Sequence, residues 1–163
     1  MNSATHSPVY TTTYDRSACS VGILHLGFGA FHRAHQAVYI DDYMQVSGDL
    51  RWGIAAVNLR GSETAHFDIA DADITRNDGY YLKSYSADGD VALRLVRSHI
   101  QFADWSADKA KTEALLSEPS VHLVTITVTE SGYYTDPNGN LNAADPTMKA
   151  EIAGGTPQSV YGY

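Results

Sequence analysis

Apolar residues cluster in short runs separated by glycine and polar turns, and their periods change along the chain. Val21-Gly22-Ile23-Leu24-His25-Leu26 is a compact apolar run that suits a buried strand. It passes through Gly27-Phe28-Gly29-Ala30 into Phe31 to Val46, where Phe31, Ala34 and Val38 recur at helical spacing and Gly48 supplies a stop. Trp52 to Val57 reads as a second buried strand, and Ser62 as the N-cap of a short helix ending near Ala70. Strand, glycine turn, helix, strand is a βαβ unit.

The middle of the chain follows another pattern. Asp78-Gly79 and Asp88-Gly89 flank Tyr80 to Tyr85, and Val91 to Val96 follows, which predicts an antiparallel hairpin inserted into the α/β alternation. Asp104 to Leu116 predicts a helix with Trp105, Ala110, Leu115 and Leu116 on its buried side, stopped by Pro119. Val121 to Val128, rich in β-branched residues, reads as the third core strand. A turn-rich loop, Asp136-Pro137-Asn138-Gly139-Asn140, precedes a short helix over 145–153, and Thr156 to Tyr163 reads as the beginning of another. Residues 1–20 form a polar lead-in that packs at its Tyr14 end; residues 21–163 carry the α/β domain. The fold class is α/β, an incomplete Rossmann-type parallel sheet with flanking helices and an inserted β-hairpin.

Composition narrows the function. The 163 residues hold 11 Lys and Arg against 19 Asp and Glu, a formal charge of −8, with 44% hydrophobic and 18% charged residues. Such a chain can bury a core, while its acidic balance argues against a nucleic acid partner. No apolar run approaches a membrane span. The single cysteine, Cys19, excludes an internal disulfide and a cysteine-based zinc site. With a polar N-terminus lacking the apolar core of a signal peptide, this points to a cytoplasmic protein.

Gly27-Phe28-Gly29 is the chemical focus. At a strand-to-helix turn the first glycine allows a tight bend and the second lets a pyrophosphate approach the backbone. The helix start then offers free N–H groups to that anion. A full dinucleotide fingerprint places a third glycine at position 32, where this chain has His32. By spacing alone the pair also fits a turn without ligand. Arg60 and Glu63 follow the second strand. Glu63 could hold ribose hydroxyls, favouring NAD, and Arg60 could face a 2′-phosphate, favouring NADP; a plain surface ion pair fits equally. His25, His32 and His35 invite a metal reading and a metal-dependent hydrolase, but no acidic residue completes the set before Asp41 and Asp42, so a structural role fits better.

Longer motifs carry a family resemblance. Tyr14-Asp15-Arg16-Ser17, then His25-Leu26-Gly27-Phe28-Gly29-Ala30-Phe31-His32-Arg33-Ala34-His35-Gln36-Ala37, resemble the start of the polyol-specific long-chain dehydrogenases, the mannitol dehydrogenase family. Trp52-Gly53-Ile54, Leu59-Arg60, Asp78-Gly79-Tyr80-Tyr81 and Val124 to Tyr133 continue the match in order. The resemblance implies a Rossmann-type domain holding NAD(H), and a mostly helical catalytic domain beyond it that meets a polyol, ketose or uronate. It places Gly27, Phe28, Gly29, Ala30 and Phe31 at the pyrophosphate, Arg60 and Glu63 at the adenosine end, and Thr129 and Glu130 on the nicotinamide side. Ser62-Glu63 departs from the usual family acid, leaving NADP open beside NAD. The family's catalytic lysine is followed by Asn five residues on and His eight on. None of Lys83, Lys109, Lys111 and Lys149 fits. The expectation is the cofactor-binding half of such an enzyme, inactive alone, with an unpaired sheet edge prone to self-association; a free-standing dinucleotide-binding or regulatory module is the alternative.

Overall fold

A computed structural model describes residues 9–162. Contacts group them into two units, one up to Thr125 and one from Ile126 onward. The elements are β1 (Val9–Thr11), β2 (Val21–Leu26), α1 (Ala30–Ala34), α2 (Gln36–Ser47), β3 (Gly53–Asn58), α3 (Thr64–Asn77), β4 (Tyr80–Tyr85), β5 (Val91–Val96), β6 (His99–Asp104), α4 (Lys109–Leu116), β7 (Leu123–Ile126) and α5 (Pro146–Ile152).

The larger sheet has the order β6-β3-β2-β7, with β2–β3 and β3–β6 parallel. In order of appearance its strands therefore lie 3-2-1-4, the order of four of the six strands of a dinucleotide-binding sheet. Its two faces are both covered, so β2 and β3 are buried along nearly their whole length. Leu24, Ala55, Val57 and Ala103 pack with Leu115 of α4. On the opposite face Ile23 and Ile54 meet Ala37 of α2 and Val96 of β5, while Ala56 and Phe102 meet Phe67 and Ile74 of α3. Among the described residues no helix is long and apolar enough to cross a membrane.

The predicted hairpin is present, with Tyr80 opposite Val96 and Tyr85 opposite Val91. It belongs to a separate sheet, β1-β5-β4, in which Val9–Thr11 of the lead-in adds a parallel strand. Polar side chains fasten this sheet to α2. Asp41 is fully buried and accepts from Thr12 Oγ1 (3.0 Å), Tyr14 Oη (2.7 Å) and Arg94 Nη2 (2.8 Å). Arg94 also grips Asp42 through both guanidinium arms, at 2.9 and 2.7 Å. Arg97 donates to the Thr12 and Tyr14 carbonyls, at 2.9 and 3.0 Å, and pairs with Asp78.

Several boundaries differ from the sequence reading. The third strand beside β3 is β6, hidden in the sequence by His99, Gln101 and Asp104. The run expected as the third core strand shrinks to β7 at the sheet edge, where Leu123, Val124 and Ile126 are 40–49% exposed. The helix expected from Phe31 to Val46 breaks at His35 (φ −125°, ψ −84°), with α1 burying His32 against His25 and His99 and α2 burying Ala37 and Asp41 against Ile54 and Arg94. Ser62 does not cap α3. It lies in a 3-10 turn over Gly61–Glu63, and α3 runs on to Asn77. The helix after β6 starts only at Lys109, capped by Asp108, and Ala110 and Leu116 face outward.

In the second unit, Thr135 bridges to Leu141 around the Asp136–Asn140 loop. α5 forms as expected, with the Asp145 side chain capping it through the Thr147 and Met148 N–H groups. Residues 156–162 make turns instead of a helix; Glu151 binds the Ser159 hydroxyl and the backbone N–H groups of Gln158 and Ser159, holding the segment in a bend. Tyr163 lies outside the described residues.

Removing one partner of a buried ion pair strands the other charge. Asp41→Ala is therefore expected to lower the unfolding free energy by about 3–5 kcal/mol, read by urea titration. A loss below about 1 kcal/mol would show that the Arg94 network does not hold the small sheet.

Candidate functional site

The site begins where β2 ends. Gly27 has φ +109°, a left-handed conformation that a side chain strains, and its N–H donates to the Val57 carbonyl of β3 at 2.7 Å. Gly29 follows at φ −71° as the N-cap of α1, with no side chain capping the helix. A Cβ built on either glycine meets nothing within 4 Å, so both backbones border open space. Gly29 and Ala30 are exposed. The glycines thus form a bare strand-to-helix turn that a ligand can approach closely.

The residues between and after them face different ways. Phe28 turns its ring inward, edge-on to Phe67, Phe102, His99 and Tyr80 at 5.1–6.3 Å between centroids. Only its backbone belongs to the turn's outer surface, and the ring anchors the turn to the core. Phe31 is 63% exposed and stacks on His35 at 4.2 Å.

Beneath the turn lie three buried imidazoles. His25 of β2 and His32 of α1 stack with centroids 3.4 Å apart and rings 9° from parallel. His32 Nε2 is 2.9 Å from Nε2 of His99, at the start of β6. Burial disfavours the charged form of each. It lowers the His25 pKa to about 3 and that of His32 to about 4, and takes His99 well below the ordinary value. His35 is exposed and donates to the Phe31 carbonyl, in keeping with the structural role expected for it. Among the described residues no group of three His, Cys, Asp or Glu is placed to hold a metal ion.

The adenosine-end residues sit on the loop after β3. Arg60 and Glu63 are both exposed, and a backbone bond from the Glu63 N–H to the Arg60 carbonyl (2.9 Å) forms their turn. Their side chains make no ion pair within 4 Å, so the surface-pair reading fails. The Gly27–Val57 bond puts the glycine turn and this loop at the same end of the sheet. Thr129 and Glu130 belong to the second unit, where Thr129 directly precedes a 3-10 turn over Glu130–Tyr133.

A polar knot missed in the sequence supports that loop. Asp104, at the end of β6, accepts from Asn58 Nδ2 (2.8 Å), Thr64 Oγ1 (2.7 Å), the Ser106 hydroxyl (2.6 Å) and the Ser106 and Ala107 N–H groups. Burial raises its pKa, yet these donors outweigh burial and hold it at about 2. It fixes the bases of the 60–63 loop and of α3. Its one sequence signature is a carboxylate closing the run His99 to Ala103, whose polar residues mask a strand pattern.

The family profile described as the mannitol dehydrogenase Rossmann domain matches residues 21–159. Mannitol 2-dehydrogenase of Cereibacter sphaeroides is 33% identical over 141 residues, 86% of this chain and 29% of that protein. D-arabinitol 4-dehydrogenase of Ralstonia nicotianae is 34% identical over 133 residues, 81% of this chain and 28% of that protein. The solved ternary complex of Pseudomonas fluorescens mannitol 2-dehydrogenase with NAD and D-mannitol superposes with a TM-score of 0.76 at 30% identity, over 94% of this chain and 31% of that one. The chain thus spans about three tenths of the length of the relatives it matches. It belongs to the mannitol dehydrogenase family.

The three histidines make stability pH-dependent in a definite direction. Their folded pKa values lie below the unfolded value near 6.5, so the unfolded chain takes up protons first as pH falls. Stability is expected to be full well above pH 6.5 and to decline progressively as pH falls toward 4. Asp104 contributes a further loss only as pH falls from about 3.8 toward 2. Chemical denaturation between pH 8 and 4 reads the first window; a flat profile would contradict buried, neutral imidazoles.

Proposed function

We propose that this chain is the cofactor-binding part of an NAD-dependent dehydrogenase that interconverts a sugar alcohol and a ketose or ketouronate. The observation that carries the reading is the open glycine turn at the end of β2. A diphosphate lying there meets backbone amides with no Cβ in the way. In a family whose solved member holds NAD and D-mannitol, that opening fits a dinucleotide. Residues from 21 onward make up the cofactor domain in this reading.

Each residue then has a separable task. Gly27, Phe28, Gly29, Ala30 and Phe31 offer backbone to the diphosphate, with the ring of Phe28 holding the turn from below. Glu63 takes the adenosine ribose hydroxyls, and its carboxylate would repel a 2′-phosphate, so NAD is favoured over NADP. Arg60 flanks the adenine. Thr129 and Glu130 serve the nicotinamide side. The nicotinamide ring, when bound, supplies the hydride acceptor or donor. No lysine of this chain has the family's spacing to Asn and His, so these residues seat the cofactor and leave proton transfer to other parts of such an enzyme.

Exposed Leu123 and Val124 mark β7 as the edge through which the chain self-associates in this reading, within a cytoplasmic setting.

Gly29→Asp separates folding from binding. Aspartate is a good N-cap, and the position has an ordinary φ and free space, so thermal stability should be unchanged or higher. Its charge faces the diphosphate. Calorimetric titration should show NAD⁺ binding tighter than NADP⁺ binding for the unaltered chain, and at least a tenfold loss for the variant. Equal NAD⁺ affinity in the two proteins would refute the proposed seat.

A further inference from the structure

His32 occupies the place of the third fingerprint glycine, whose task is to let the helix approach the strand. Here the approach is made by an imidazole that is 1% exposed. The orientation of the Gln36 amide sets the tautomers of the cluster. Gln36 Oε1 can only accept, so His32 Nδ1, 3.0 Å away, carries a hydrogen. The Thr125 hydroxyl donates to the same oxygen at 3.2 Å and therefore accepts from His25 Nδ1 at 2.8 Å. With Nδ1 protonated, neutral His32 has a bare Nε2, and this accepts the Nε2–H of His99.

Two ring nitrogens in the cluster have no partner, His25 Nε2 and His99 Nδ1. The proton count makes both of them bare lone pairs, so none of the three imidazoles buries an unpaired N–H. A proton added to His32 Nε2 would set two N–H groups face to face, unless His99 moved its own proton to the unpartnered Nδ1. The surroundings oppose charge as well. Arg33 on α1 and Arg16, itself paired with Asp78, are cations near the cluster, and Tyr80 packs its ring 5.7 Å from His99 and stays protonated. Phe28 of the turn rests on His99 at 5.1 Å.

We propose that the His99-to-His32 hydrogen bond is a strut that replaces the third glycine and holds the Gly27–Gly29 turn in its binding conformation, making both histidines positioning residues for the dinucleotide. It rests on the dinucleotide reading above. The bond joins α1 to β6 directly below the turn, while the stack on His25 ties α1 to β2. Losing it frees the start of α1 to shift away from the sheet. The backbone amides then lose their common aim, although the core below stays packed.

The test compares NAD⁺ affinity across His99 variants by calorimetric titration at pH 7.5, with thermal unfolding measured alongside. His99→Phe keeps a ring among Phe28 and Phe102 but removes the donor. His99→Gln places an amide N–H where Nε2 was. The expected result is at least a tenfold loss of affinity in His99→Phe and recovery to within about threefold in His99→Gln, with similar melting temperatures. If His99→Phe lacks native circular dichroism, His32→Asn takes its place, since Asn keeps a donor toward Gln36 and lacks the atom that meets His99. Unaltered affinity in the donor-lacking variant overturns the strut, and so does an equal loss in His99→Gln. If the unaltered chain itself fails to bind NAD⁺, the dinucleotide reading falls instead.

Discussion

The hydrogen bond from the Gly27 N–H to the Val57 carbonyl joins the two stretches of chain that a ligand at this sheet end must meet together. It fastens the exit of β2 to the exit of β3. The glycine turn and the 60–63 loop therefore have a fixed spacing. Only a residue without Cβ takes φ +109° readily, so the bond and the glycine require one another. Above the bond the turn stays bare. Below it the chain packs densely, with Phe28 set into an aromatic cluster and His32 into the imidazole stack.

An open upper surface on a rigid base is the arrangement that backbone recognition of an anion needs. The base is polar at two points, and each is neutralised differently. Asp104 keeps its charge because five donors surround it. The histidines give up charge because burial and one another leave no counter-ion for it. Both solutions tie strand ends to the segments that follow them, so the cost of burying polar groups is offset by fixing loop geometry.

Local patterning made the frame legible. The apolar run at 21–26, the paired glycines and the Asp-Gly turns announced β2, its turn and the hairpin, because strand burial and turn chemistry are written in neighbouring residues. The longer motif from His25 to Ala37 gave the family. What stayed hidden depends on distant partners. β6 carries His99, Gln101 and Asp104, whose polar character disguises a strand of the main sheet until His32, Asn58 and Thr64 are seen to satisfy it. The burial of Asp41 likewise follows from contacts more than 25 residues away. In the site itself, the turn was readable, and the support beneath it was not. Arg60 and Glu63 follow β3 as the sequence predicts, while the absence of an ion pair between them depends on side-chain placement that no local pattern encodes.

The central claim is that the backbone of the 27–31 turn receives a diphosphate. The most direct measurement is an amide ¹⁵N–¹H spectrum of the chain recorded with increasing NAD⁺. The account predicts saturable shifts concentrated at Gly27, Phe28, Gly29, Ala30 and Phe31, with smaller ones at Arg60 to Glu63. Saturable shifts centred elsewhere, with the 27–31 amides unmoved, would contradict it.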